Sequence, residues 1–98
     1  IINPEILGTF GPIEKDWEGC LSVPGFRGKV PRSHGLHVRF LDRTGASHTM
    51  SLEGFVARVF QHELDHLDGI LYPERMDKED RLLDLDEFFA ETGVRVPR

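Results

Sequence analysis

The run Gln61-His62-Glu63-Leu64-Asp65-His66 sets two imidazoles four residues apart, with a carboxylate directly after the first. On a helix, positions i and i+4 share a face, so both rings can turn to one cation while the carboxylate reaches water beside it. A divalent metal held by three protein ligands, with one position left open, polarises a carbonyl and acidifies water. Glu63 is then the general base that takes the water proton and returns it to a departing amine. The chemistry implied is metal-assisted hydrolysis of a carbonyl bond.

The third ligand has several candidates. Asp65 lies between the histidines but points away from their face, and Asp68 follows them. His34, His37 and His48 fall in polar strand or loop positions, where solvent exposure is the expected state. Cys20 is favoured because thiolate is a strong ligand and its setting, Glu18-Gly19-Cys20-Leu21-Ser22, is unusual. Gly19 permits close backbone approach there. A thiolate lowers the effective charge of the metal and suits Fe²⁺ as well as Zn²⁺. The developing oxyanion needs donors, and the backbone N–H of Leu21 is suited to be one. Gln61, the only glutamine, is turned away from the His62/His66 face, so a second, side-chain donor is not expected from this chain.

These groups must be positioned by a small fold. Ile1 to Leu7 reads as a short strand, Gly8 to Asp16 as a loop with two glycines and Pro12, and Trp17 to Pro24 as a strand edge carrying Cys20. Gly25 to Gly35 holds three glycines and Pro31 and reads as irregular. Leu36, Val38 and Phe40 alternate with His37 and Arg39, a half-buried strand. Asp42-Arg43-Thr44-Gly45 supplies turn chemistry before a second alternating run through Met50 and Leu52, which together predict a hairpin. From Phe55 the period changes: Phe55, Val59, His62 and His66 line one helical face, and Val56, Phe60, Leu64 and Leu67 extend the apolar surface, so the helix is expected to be buried up to its stop at Gly69. A second helix is expected from Lys78 to Glu91, with Asp77 and Asp80 at its first turn and Gly93 as its stop. The pattern predicts an α+β fold: antiparallel strands packed around a central helix that carries the His-Glu-x-x-His motif, with a C-terminal helix.

Composition bounds the rest. Ninety-eight residues allow one small domain, expected to span 1–98. One cysteine excludes an intrachain disulfide. No apolar run approaches membrane-spanning length, so no membrane partner is expected. The net charge of −5 resides in Glu74 to Glu91, and the remainder is balanced. Phosphate binding wants clustered Lys and Arg, so nucleic acid is not expected as a direct ligand. The opening Ile1-Ile2-Asn3-Pro4 reads as the middle of a strand and suggests an absent amino-terminal piece.

Glu18-Gly19-Cys20-Leu21-Ser22 together with Gln61-His62-Glu63-Leu64-Asp65-His66 resembles peptide deformylase, matching two of that family's three motifs. The similarity extends from Ile2-Asn3-Pro4 through Val30-Pro31-Arg32 and Leu41-Asp42-Arg43 to Leu71-Tyr72. The resemblance implies removal of the formyl group from N-formylmethionine of nascent polypeptides, with release of formate. It implies Fe²⁺ held by Cys20, His62 and His66, with Zn²⁺, Ni²⁺ or Co²⁺ able to substitute, and Glu63 and the Leu21 N–H in catalysis. Gly19, Arg27, Phe55 and Val59 match positions that line the methionine pocket or the peptide path. Arg58 stands where many bacterial members have an apolar residue and others Arg. Arg32 is expected to pair with Glu18 or Asp65. The family's glycine-rich first motif, which ends in an oxyanion-binding glutamine, is missing, and truncation is the expected reason. Ribosome docking in the family often uses a basic extension, which the acidic stretch does not match. The implied compartment is the bacterial cytoplasm, or a mitochondrion or plastid. Two other readings stand beside this one: a zinc-dependent peptidase, and a non-catalytic metal-binding descendant.

Overall fold

A computed structural model describes residues 2–93; Ile1, read as part of the first strand, lies outside the described residues. The order is β1 (Ile2–Cys20), β2 (Val23–Leu41), β3 (Ser47–Glu53), α1 (Gly54–Leu67), a 3-10 turn (Tyr72–Arg75), β4 (Leu83–Asp84) and α2 (Leu85–Thr92). Strand β2 is flanked by β1 and β3 and also pairs with β4. Strand β2 pairs antiparallel with both β3 and β4, and with two helices the fold is the expected α+β. The chain forms two compact units, Ile1–Glu14 with Arg32–Ile70, and Lys15–Pro31 with Leu71–Arg98.

In the first unit, β2 and β3 form the predicted hairpin, in register from Gly35 opposite Glu53 to Leu41 opposite Ser47. Its turn is organised by one carboxylate. Asp42 Oδ1 accepts from the Thr44 N–H at 2.8 Å, the Thr44 hydroxyl at 2.6 Å and the Ala46 N–H at 3.1 Å, and Oδ2 meets His48 Nε2 at 2.6 Å. These bonds, the Thr44 hydroxyl's first, hold the Asp42 carboxyl well below the usual carboxylate range. Leu36 and Val38 on the hairpin bury Ala57 of α1, with Leu52 and Phe60 packed around them.

In the second unit, Phe26 and Arg27 of β2 pair with Asp84 and Leu83 of β4. Val30, Tyr72, Leu83 and Phe88 are buried there, and Trp17 meets Phe88 edge-on with ring centroids 5.1 Å apart. Asp84 begins α2 with a capping box: its carboxylate accepts from the Glu87 N–H at 2.8 Å, and the Glu87 carboxylate accepts from the Asp84 N–H at 3.2 Å. Gly93 ends the helix at φ +71°, as expected.

Three expectations are corrected. Gly8–Asp16 and Gly25–Gly35 are strand, within β1 and β2. Within β2, Gly28, Val30, Arg32, Leu36 and Val38 are buried, but a glycine and an arginine among them hide the alternation from a hydropathy reading. Gly35 is required because a Cβ there would collide with the Phe10 ring. The second helix starts at Leu85, not Lys78, because Leu83 is spent on strand pairing and Asp84 is the effective cap. Asp77 and Asp80 lie before it and bind Lys15 at 2.8 and 2.7 Å. Finally, α1 is not buried all round: Phe55 is 77% exposed and Leu67 72%.

Candidate metal centre

Helix α1 belongs wholly to the first unit and carries His62, Glu63 and His66. The two imidazoles are half-buried, their ring centroids 4.8 Å apart and their planes tilted by 31°. Two nitrogen donors on adjacent turns are the kind of ligand pair that Fe²⁺ and Zn²⁺ take, so the residues present fit a divalent metal. Glu63 is exposed beside them. A cavity of about 570 Å³ opens along this helix, lined by Glu63 and His66 together with Phe55, Val59 and Phe60, and bounded by Pro4 of β1. A carboxylate and an imidazole therefore face an otherwise apolar recess, the composition expected of a site that binds a small apolar group and acts on a polar bond.

The adjoining side of α1 is tied to β2. Asp65 is buried and its carboxylate meets the Arg32 guanidinium at 2.6 Å, with side chains 11% and 5% exposed. The predicted alternative in which Arg32 pairs with Asp65 is therefore realised, and in the interior. It also removes Asp65 as a third ligand. Gln61 was predicted to face away from the histidines, and it does so with a use the sequence reading missed: its amide accepts from the Ser33 N–H at 3.1 Å and donates to the Ser33 carbonyl at 2.9 Å. No local pattern signals a bond across 28 residues of chain. Arg58, 9% exposed, donates to the Glu14 carbonyl at 2.7 Å. His34, His37 and His48 are engaged by Glu14, Ser51 and Asp42, as suits the polar positions expected of them.

Cys20, Leu21, Gly19 and Arg27 belong to the second unit. Cys20 is the last residue of β1, and the Ser22 N–H donates to its sulfur at 3.5 Å across the Leu21–Ser22 turn. The Leu21 side chain is 99% exposed. Arg27 lies across Gly19, where a Cβ would come within 2.7 Å of the guanidinium, so glycine is what allows the arginine to lie flat there. Glu18 is buried. Burial pushes the Tyr72 phenol above its ordinary value; Arg27 opposes the shift, and Cys20 and Glu18 add to it. The Tyr72 hydroxyl donates to the Phe26 carbonyl at 3.2 Å.

The likeness to known proteins is extensive. A sequence profile of the polypeptide deformylase family matches residues 1–82. Peptide deformylase 2 of a Nostoc species is 52% identical over 77 residues, covering 79% of this chain and 43% of that protein. Peptide deformylase 1 of Nitrosomonas europaea is 53% identical over 76 residues, 78% of this chain and 43% of that one. Among solved structures, a peptide deformylase from Synechococcus elongatus in complex with actinonin matches with a TM-score of 0.76 at 38% identity, over 97% of this chain and 50% of that one. A class I type b peptide deformylase from Acinetobacter baumannii with Met-Ala-Ser bound gives a TM-score of 0.72 at 46% identity, over 76% of this chain and 46% of that one. The chain spans half or less of the length of each of these relatives.

Proposed function

The chain belongs to the polypeptide deformylase family, and we propose on that footing that it serves in metal-dependent removal of the N-formyl group from peptides that begin with formylmethionine. The observation that carries this reading is the pair of imidazoles on α1 with Glu63 beside them at the edge of an apolar cavity. His62 and His66 are the nitrogen ligands of the metal in this reading and Cys20 supplies a thiolate. Fe²⁺ is the resident ion proposed, and Zn²⁺, Ni²⁺ or Co²⁺ can take its place. When bound, the metal supplies a Lewis acid next to the scissile carbonyl and acidifies water at neutral pH.

The remaining roles fall to the chain's own groups. The Glu63 carboxylate takes a proton from the attacking water and hands it to the nitrogen that leaves, so that formate and a free amino terminus result. The Leu21 N–H donates to the carbonyl oxygen as negative charge builds on it. Phe55 and Val59, which line the cavity, take the methionine side chain, an unbranched apolar group suited to an irregular apolar recess. Gly19 and Arg27 contact the peptide backbone that follows. The Acinetobacter relative with Met-Ala-Ser bound supports a methionine-first peptide as product. Nascent polypeptides are therefore the proposed partner, presented at the ribosome, in the cytoplasm of a bacterium or within an organelle.

Formate release from a formyl-Met tripeptide tests the reading. Release is expected with Fe²⁺, Co²⁺ or Ni²⁺ loaded, and its absence with all three overturns it. Cleavage of an internal peptide bond instead would favour a peptidase, and metal binding with neither activity a non-catalytic descendant.

A further inference from the structure

We infer that Gln61 is a positioning residue for the two histidines of α1, a clamp that fixes the rotation of the helix about its own axis. The inference rests on the proposed metal role of His62 and His66. Gln61 uses both ends of its amide on one residue of β2: Oε1 accepts from the Ser33 N–H at 3.1 Å, and Nε2 donates to the Ser33 carbonyl at 2.9 Å. The same Nε2 donates to the Ala57 carbonyl at 3.1 Å, one turn back in its own helix. Each of its hydrogen-bonding groups is thus committed, and a side chain held at three points has no rotamer freedom left.

The spacing gives this clamp its meaning. Residues 61 and 65 form one ladder on α1, and residues 62 and 66 form the next ladder round. Gln61 and Asp65 are fastened to consecutive β2 residues, Ser33 and Arg32. Each ligand candidate therefore directly follows an anchored residue. Side-chain tips sit about 5–6 Å from a helix axis, so a turn of about 10° moves an imidazole by about 1 Å. Metal–ligand distances tolerate only about 0.2 Å. A helix left to find its own rotation would hold the two rings near a cation without holding them on it.

Apolar packing does not provide the same control. Ala57 presents a single methyl to Leu36 and Val38, with Phe60 packed partly buried beside it, and such non-directional contacts let a helix roll. The α1 residues Phe55, Val56 and Leu67 are largely exposed, so they add no restraint within the described residues. Orientation falls to the polar anchors.

A cobalt titration of the full chain, followed by visible absorption and paired with thermal melting of the metal-free protein, separates positioning from plain stability. In Gln61→Met, which keeps volume and helix propensity but loses the bonds, the Co²⁺ Kd is expected to weaken roughly 10- to 100-fold, as when supporting partners of metal ligands are removed, and the absorption bands to shift. Asp84→Ala, which removes the cap of α2 and touches none of the groups that hold α1, lowers the melting temperature and leaves Kd and spectrum at their wild-type values. Gln61→Glu still accepts from Ser33 but cannot donate, and is expected to fall between wild type and Gln61→Met. The inference is overturned if the Gln61 variants melt lower yet bind Co²⁺ as wild type does. Failure of the wild-type chain to bind Co²⁺ is a different result, which removes the metal reading and the clamp with it.

Discussion

Helix α2 opens with a reciprocal pair of bonds between Asp84 and Glu87, whereas the N-cap of α1, Glu53, makes no side-chain cap bond, and its first turn holds no acidic residue. Gly54 at the head of α1 even takes φ +64°. One helix is specified by four neighbouring residues. The other is held by residues that are distant in sequence: Ser33 on Gln61, Arg32 on Asp65, and the Leu36–Val38 surface on Ala57. The histidines and Glu63 lie on the second kind. A helix whose placement depends on tertiary anchors can have its side chains set to within fractions of an ångström, and it depends on each anchor more heavily than a self-capped helix does.

The contrast can be broken most forcefully at the chemistry. Replacing Glu63 with Ala is expected to lower formate release by roughly 10²- to 10⁴-fold, the usual weight of a positioned general base. The far-ultraviolet spectrum and metal content should stay as they are, because Glu63 is exposed and is not among the proposed ligands. Loss of metal in that variant would contradict the assignment of Glu63 as base.

The anchors come next. Asp65→Ala leaves the Arg32 guanidinium buried without its carboxylate, which costs about 3–5 kcal/mol, whereas replacing both by Met and Leu of similar volume costs far less. Chemical denaturation of the single and double variants checks this ordering. Equal losses in both would show that the pair does not act as a unit. In α2, Asp84→Ala removes the cap and costs about 1 kcal/mol, with Co²⁺ affinity unchanged. A cap mutation in α2 that weakened metal binding would erase the distinction between the helices.

The smallest effect is at the hairpin turn. The Asp42 carboxyl titrates below its unfolded value, so its contribution is present above the unfolded pKa and is lost as the pH falls from there toward the folded one. Asp42→Asn should therefore melt lower than wild type at pH 7, and the two curves should converge as the pH drops below about 4. A gap independent of pH would show that shape, and not charge, organises the turn.

What the sequence made legible follows the same division. The His-Glu-x-x-His face, the stop at Gly69 and the Leu36–Leu52 hairpin were readable because each is written in a local period. The Arg32–Asp65 pair was foreseen only as one of two options, and the Ser33–Gln61 bonds were not foreseen. Partners 33 and 28 residues apart leave no periodic trace. The long strands β1 and β2 are hidden in the sequence by Gly8, Gly11, Gly25 and Pro31, residues that ordinarily end strands. The sequence places the start of α2 seven residues early because Asp77, Lys78 and Asp80 imitate a first turn, while the two aspartates in fact bind Lys15. The exposure of Phe55 and Leu67 was not readable either, since an apolar period says that a face seeks cover and not which atoms supply it.

One measurement reaches the central claim without relying on turnover. X-ray absorption at the metal edge of the zinc-loaded chain should show one sulfur at about 2.3 Å together with two imidazole nitrogens at about 2.0–2.1 Å. That shell is the one expected if Cys20, His62 and His66 hold a single ion. A shell with no sulfur, or with fewer than two imidazoles, would contradict the account.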